Sequence, residues 1–358
     1  MNMKDKVINK LKLFVTTDCN MSCKYCMIKN TNEYMTFDLA IKWINYFILN
    51  TKNDWNKKFI YFFGWEPFKN FNLIKKIINY INLQKLKFPL EYVICTNLTI
   101  LNNEYIFFLK NNNIKLSISL WGYWKYHTSH RIFKTNSNVN SLNITLKNIK
   151  LLKKGGIQTY KLWIGFVILK DFLDMLFTNF IYIVEVLSLC HLNFEIIIDK
   201  KEWSMDDYNN FKNEYNKIIR YIICCISKKK YIYLNNLNWT ILFLLYDISK
   251  NDKLSYLAEL YPNWNIMFSW FNTYLSTEEI KKTIVWNLNK DSFIDVNYSD
   301  KYAPDFNSLE NFKPGVWYRF IKDFMNVLDL EIAKIIIKRS KEELYFKEYI
   351  DNVKKYYF

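Results

Sequence analysis

Glycine is scarce in this chain, six residues in 358, against an ordinary usage of about 7 per cent. Arginine is scarce too: Arg131, Arg220, Arg319 and Arg339 are the only four, so lysine carries most of a formal net charge of +16. A surplus of this sign ordinarily raises nucleic acid or an anionic membrane as partner. Phosphate and base recognition favours the planar fork of arginine, so nucleic acid is not the expected partner. An excess of Lys, Asn, Ile, Tyr and Phe reads instead as the product of an AT-rich genome. No apolar run approaches the roughly 20 residues a bilayer demands. Met175 to Leu189 is interrupted by Asn179 and Glu185, and Ile241 to Tyr246 is short. Met1 to Lys12 carries charges throughout and lacks the apolar centre of a secretory signal. A cytoplasmic protein with no membrane partner is the expectation. The seven cysteines are an odd count in a long chain, which argues against a disulfide framework, and none follows Cys225.

Against these shortages stands one dense feature, Cys19, Cys23 and Cys26 within Thr17-Asp18-Cys19-Asn20-Met21-Ser22-Cys23-Lys24-Tyr25-Cys26. Three soft thiolates so close grip a soft metal centre and leave it one ligand short, and an open coordination site is where chemistry happens. A structural zinc site needs four ligands, and no Cys or His lies close behind Cys26 to supply the last. The C-x3-C-x2-C spacing, with aromatic Tyr25 before the last Cys, resembles the cluster loop of the radical S-adenosylmethionine (radical SAM) superfamily. That resemblance implies a 4Fe-4S cluster on Cys19, Cys23 and Cys26, whose fourth iron binds the amino and carboxylate groups of S-adenosyl-L-methionine.

Short β-rich runs alternate with runs of helical period through the first two thirds of the sequence. The strands fall at Leu11 to Thr16, Phe59 to Phe63, Leu90 to Cys95, Ile114 to Leu120, Leu162 to Leu169 and Asn193 to Ile198. The helices fall from Thr36, across Leu73 to Ile81, Asn103 to Lys110, Ser141 to Lys154 and Phe172 to Leu187. Thr36 is placed as a cap, with Ala40, Ile41, Ile44, Phe47 and Ile48 on one face. Six β/α units in series predict an α/β fold with a parallel sheet and right-handed crossovers. The count matches the partial (β/α)6 barrel of the radical SAM superfamily. In such folds chemistry gathers beyond the carboxyl ends of the strands, and the notable residues fall there.

After the second strand, Phe62-Phe63-Gly64-Trp65-Glu66-Pro67-Phe68 resembles the family's Gly-Gly-Glu-Pro loop, which implies that Gly64, Trp65, Glu66 and Pro67 lie against the methionyl end of the cofactor. A close backbone approach calls for Gly, because a Cβ obstructs it. After the third, Cys95-Thr96-Asn97-Leu98-Thr99 resembles a Thr-Asn-Gly-Thr strand end, with Leu98 in place of Gly; Asn97 is carried over and Cys95 is read as core. After the fourth, Ser117 to Gly122 followed by His127 and Arg131 resembles the Ser-x-Asp-Gly…His-Asp…Arg run of the branch that modifies peptides and sulfatases, although Trp121 stands where that run has Asp. The resemblance implies that Ser119 and Arg131 hold the carboxylate and ribose of the cofactor. The vicinal pair Cys224-Cys225, in an apolar helical stretch, is read as core.

The shortage of glycine is matched by a surplus of tryptophan, 12 residues. Trp65 stands at the second Gly of Gly-Gly-Glu-Pro, Trp264 stands where Asn-Gly would turn a hairpin, and Trp286 stands at a Gly-Asn-Ile/Leu step of the family's C-terminal extension. A UGA codon reassigned to glycine, but read as tryptophan, would explain all three. Codons decide it: UGG at every one of these positions refutes the reassignment.

From about Lys200 the alternation lapses. A helix across Asp206 to Ile226, a hairpin around Asn263 and a basic helical tail from Glu331 to Tyr357 are expected. Residues 1–200 thus form the barrel, and 201–358 a smaller α+β extension resembling a SPASM or twitch domain without its auxiliary-cluster cysteines. The resemblance implies a maturase-like enzyme that abstracts hydrogen from a peptide or protein substrate and draws electrons from flavodoxin or ferredoxin. The competing reading is a non-catalytic iron-sulfur or zinc-binding scaffold, favoured by Trp65 as written.

Overall fold

The computed structural model describes residues 10–26, 32–51, 57–122, 124–196, 203–246, 257–260, 265–267, 284–287 and 316–357. Strand and helix alternate through β1 (Lys10–Thr16), α1 (Phe37–Asn50), β2 (Lys58–Gly64), α2 (Phe71–Asn82), β3 (Leu90–Thr96), α3 (Asn103–Asn111), β4 (Lys115–Ser119), α4 (Trp124–His130), α5 (Ser141–Lys154), β5 (Leu162–Ile168), α6 (Leu176–Ile181) and β6 (His191–Ile196). Side-chain caps begin the helices where the sequence supplies an oxygen. Thr36 accepts from Leu39 N–H at 3.4 Å, Asn102 from Tyr105 N–H at 2.8 Å and Asn140 from Asn143 N–H at 3.0 Å. Helical period then selects the buried faces. In α1 these are Leu39, Ala40, Trp43, Ile44 and Phe47, while Ile41 and Ile48 are half-buried at the edge.

The chain divides into two compact units, each built from discontinuous stretches. The first takes the described residues of Met1–Ser117, Arg131–Ile157 and Lys253–Asn311. In it β1 lies parallel to β2, and β2 to β3. On the other side of β1 lies β8 (Leu257–Leu260), also parallel. Then β9 (Asn265–Met267) and β10 (Ile284–Asn287) follow in antiparallel order. The expected hairpin around Asn263 is flanked by the antiparallel β8 and β9, while Asn263 and Trp264 lie outside the described residues. Trp286 sits within β10, in register with Ile266.

The second unit takes the described residues of Ile118–His130, Gln158–Asp252 and Phe312–Phe358. Here β5, β6 and β7 (Tyr233–Leu234) are parallel. Around them stand α7 (Met205–Ser227), α8 (Asn235–Tyr246), α9 (Val316–Arg339) and α10 (Leu344–Tyr357). Three expectations need correction here. The helix expected across Phe172 to Leu187 is broken into a 3-10 stretch (Lys170–Met175), α6 and a π-helical turn (Tyr182–Val186). The basic tail is two helices, the first beginning at Val316 rather than Glu331. Cys224 is exposed, and only Cys225 is buried.

Asp329 of α9 is buried against α7, where its Oδ1 accepts from Tyr215 OH at 2.7 Å. Burial pushes its carboxyl up to about 7, with the Tyr215 hydrogen bond pulling the other way. A carboxyl that binds its proton more tightly folded than unfolded stabilises the fold at low pH, and loses that contribution as pH rises through the folded value. Stability should therefore fall from about pH 4 to pH 7, by up to ~4 kcal/mol on linkage arithmetic. Asp329→Asn, which keeps an acceptor for Tyr215, should flatten that slope in urea titrations at fixed pH; an unchanged slope would show that another group sets it.

Candidate active site

β1 ends at Thr16 and the chain runs straight into the cysteine loop. The loop is pinned at its entry by Asp18, whose N–H donates to Thr16 Oγ1 at 3.0 Å and whose carboxylate takes Lys69 Nζ and Tyr34 OH. Burial pushes the Asp18 carboxyl up, but these partners together pull it below the usual carboxylate range. Backbone bonds then fix the loop from two sides. Trp65 N–H donates to Thr16 O at 3.2 Å and Glu66 N–H to Asp18 O at 3.0 Å; Ser22 N–H donates to Ile132 O at 2.8 Å and Lys134 N–H to Asn20 O at 3.1 Å. Cys19 and Cys23 are half-buried, Cys26 is exposed, and none of the three is in a disulfide. Burial pushes the Cys19 thiol up to about 12, against the Met21 N–H that donates to its sulfur at 3.3 Å.

The loop after β2 meets the cysteine loop through Gly64. Its φ is +134°, and a Cβ there would lie 2.4 Å from the Thr16 carbonyl oxygen, so this approach of two backbones admits only glycine. Trp65 has no such requirement. Its φ is not positive, and its half-buried indole lies edge-on to Phe14 with ring centroids 6.2 Å apart. Glu66 is fully buried, and its carboxylate accepts from Phe68 N–H at 3.1 Å, Thr96 Oγ1 at 2.7 Å and Asn97 N–H at 2.7 Å. Burial pushes this carboxyl up and the three donors hold it back. Pro67 opens a short 3-10 turn (Pro67–Asn70) capped by Glu66. Glu66 therefore clamps the β2 loop to the end of β3.

At that end Leu98 adopts φ +55°, the left-handed conformation that a Gly would take freely. The strain costs about 1–3 kcal/mol, and complete burial of the leucine side chain returns roughly 1.5–3 kcal/mol, which is why Leu can stand here. Asn97, buried, then turns its side chain toward Cys19. Arg131 is 4% exposed. It donates from Nη1 to Tyr25 OH inside the cysteine loop, and its own carbonyl accepts from Ser141 Oγ at 2.5 Å. Burial lowers its basicity, but Tyr25 and the Cys23 and Cys19 thiols outweigh that and raise it. Loss of water raises the Tyr25 hydroxyl, with Arg131 opposing. The Arg131 Nε is buried and meets no hydrogen-bond acceptor among the described residues. Cys19, Cys23, Tyr25, Cys26, Gly64 to Pro67, Asn97 and Arg131 thus all belong to the first unit, whereas Ser119, half-buried at the end of β4, and the buried His127 belong to the second.

The chain is 32% identical over 235 residues to the uncharacterized protein MJ0907 of Methanocaldococcus jannaschii, covering 63% of this chain and 78% of that one. The family model of the radical SAM superfamily matches residues 13–176. The chain belongs to the radical SAM superfamily. It is also 30% identical over 163 residues to the radical SAM cyclopropyl synthase TigE of Paramaledivibacter caminithermalis, covering 41% of this chain and only 33% of TigE. Among solved structures, the sulfatase-maturating enzyme anSMEcpe with bound AdoMet and Cp18Cys peptide superposes with a TM-score of 0.67 at 14% identity, over 82% of this chain and 81% of that one. That likeness shows the fold, an α/β partial barrel with an extension, of the kind the maturase branch of the radical SAM superfamily shares.

Membership implies a 4Fe-4S cluster and S-adenosylmethionine, and the residues present fit both. The donor set is three cysteine side chains, none in a disulfide, on one pinned loop. Gly64 presents backbone without a Cβ beside that loop. Arg131 keeps a buried donor unmet, where the carboxylate of an amino acid would satisfy it. Among the described residues no group of three His, Cys, Asp or Glu side chains is placed to hold one metal ion. Sequence reasoning missed Asn20, Thr99, Asp18, Tyr34 and Lys69. The first three lie within quoted motifs, so their polarity was visible, but the partners that give it meaning are distant in sequence.

Proposed function

We propose that this radical SAM protein is a maturase-like enzyme that reductively cleaves S-adenosylmethionine and abstracts hydrogen from a peptide or protein side chain. When bound, the cluster and cofactor would supply that one-electron radical chemistry, with a flavodoxin- or ferredoxin-type protein as the electron donor. The protein's part is to hold and orient. Cys19, Cys23 and Cys26 hold the cluster, and each must lose its thiol proton to do so. Arg131 takes the cofactor's carboxylate in its planar fork, with Tyr25 fixing the guanidinium. The backbone of Gly64 and Trp65 receives the methionyl amine, while Glu66 and Pro67 keep that loop in place. Residues 201–358 present the substrate.

The observation that carries this reading is Arg131, a buried guanidinium that reaches into the cysteine loop with a donor left unmet. Support for a peptide substrate comes from anSMEcpe, which binds one on the same fold. Among the described residues no helix is long and apolar enough to cross a membrane. Anaerobic reconstitution with iron and sulfide, followed by dithionite and S-adenosylmethionine, should yield 5′-deoxyadenosine. A cluster-loaded protein that produces none is a scaffold, and the reading fails.

Trp65 offers a second test. Its indole fills space beside the loop that must approach the cofactor, and the backbone at 65 does not need glycine's freedom. Large-to-small changes usually destabilise by leaving a void, so a gain is informative. Trp65→Gly should raise S-adenosylmethionine affinity and the 5′-deoxyadenosine formed per cluster. Equal or lower turnover in a folded, loaded variant would show that Trp65 belongs where it stands.

A further inference from the structure

Three polar side chains close a ring beside Cys19. Asn97 Nδ2 donates to Asn20 Oδ1 at 2.9 Å, Asn20 Nδ2 to Thr99 Oγ1 at 2.8 Å, and Thr99 Oγ1 to Asn97 Oδ1 at 2.7 Å. The orientation of the Asn97 amide is not arbitrary. Thr99 N–H, a donor that cannot reverse, points at the same Asn97 oxygen from 2.9 Å, so the amide's oxygen faces Thr99 and its NH2 faces the cysteine loop. One NH2 hydrogen serves Asn20. The other lies toward Cys19 Sγ, with nitrogen and sulfur 3.8 Å apart. Asn97 is held from outside the ring as well: its own N–H is bound to Glu66 Oε2 at 2.7 Å and its carbonyl accepts from Thr145 Oγ1 at 3.2 Å. A thiolate is an acceptor only, so Cys19 as a ligand would receive two fixed donors, Met21 N–H at 3.3 Å and the Asn97 amide.

Hydrogen bonds to a cluster's sulfurs favour its more electron-rich state and so raise its reduction potential. We propose that Asn97, aimed by Asn20 and Thr99, is a tuning donor to the Cys19 sulfur that raises the potential of the cluster. Asn20 and Thr99 act through Asn97 and are positioning residues. This inference rests on the proposed function only in that Cys19 must carry a cluster.

The test is an EPR-monitored reductive titration of the full chain after anaerobic reconstitution, with iron content measured beside it. Asn97→Asp preserves shape and the acceptor for Thr99 but removes the amide donor, and should move the midpoint to more negative potential with iron content unchanged. Thr99→Val opens the ring by removing the hydroxyl that donates to Asn97 Oδ1, leaves the Asn97 amide and its bond from Thr99 N–H in place, and should move the midpoint the same way by less, while Thr99→Ser, which keeps the hydroxyl, should restore it. Midpoints equal to wild type in Asn97→Asp and Thr99→Val, with clusters loaded, overturn the proposal and leave the proposed function standing. Where Asn97→Asp does not fold, the Thr99→Val midpoint decides. A wild-type chain that takes up no cluster overturns both.

Discussion

Single replacement of Cys19, Cys23 or Cys26 by Ala should abolish the iron-dependent brown colour and all formation of 5′-deoxyadenosine. Each thiolate is assigned to a different iron, and a cluster already one protein ligand short of four does not survive the loss of another. The loss should not come from unfolding. Cys23 is half-buried and Cys26 exposed, and substitutions at such positions usually shift stability by about 0.5 kcal/mol or less. Circular dichroism of the unloaded variants should therefore match wild type. The Cys224→Ala Cys225→Ala double variant is the control: Cys224 is exposed on α7, Cys225 is buried, and iron content should be unaffected while stability falls modestly. Iron lost from that variant and kept in Cys23→Ala would put the site elsewhere.

The parts of this molecule that repeat a local rule were legible in its sequence. All six strands appear within a residue or two of their expected ends, as in Lys10–Thr16 against Leu11 to Thr16, and the Ser141–Lys154 helix ends at Gly155 as its glycines require. Leu98 was read as standing where its motif has glycine, and its φ of +55° is a conformation that glycine takes freely. What was not legible depends on tertiary partners. The apolar run Phe172 to Leu187 has no breaker that marks its division into 3-10, α and π segments, and α8 has apolar residues on every side, so periodicity gave no sign of it. Glu66 was read as a cofactor residue, a reading that stays in the proposal. Phe68, one of its three donors, is local, but Thr96 and Asn97 come from the end of a separate strand, and no spacing in the sequence announces them. The tuning ring has the same character: Asn20 and Thr99 are ordinary polar residues until β1 and β3 bring their loops together.

Arg131→Lys should weaken S-adenosylmethionine binding about tenfold or more while the cluster loads as in wild type. Lysine keeps the charge but loses the fork that engages a carboxylate through two parallel bonds, and one lost charge-assisted hydrogen bond is worth roughly 1.5–3 kcal/mol, tenfold or larger in dissociation constant. Arg131→Leu separates binding from architecture. In the cofactor-free protein Arg131 is a buried charge, partly served by Tyr25, with Nε meeting no acceptor among the described residues; such a group costs stability, and an apolar side chain of similar reach is often neutral or stabilising in its place. The melting temperature of cofactor-free Arg131→Leu should therefore equal or exceed that of wild type, while the rise in melting temperature that S-adenosylmethionine gives the loaded wild type should disappear. Calorimetry on anaerobic, cluster-loaded protein measures both quantities. A guanidinium whose task was to brace the cysteine loop through Tyr25 would give the opposite pattern, a lower melting temperature with affinity unchanged in Arg131→Lys, and would remove Arg131 from the cofactor site.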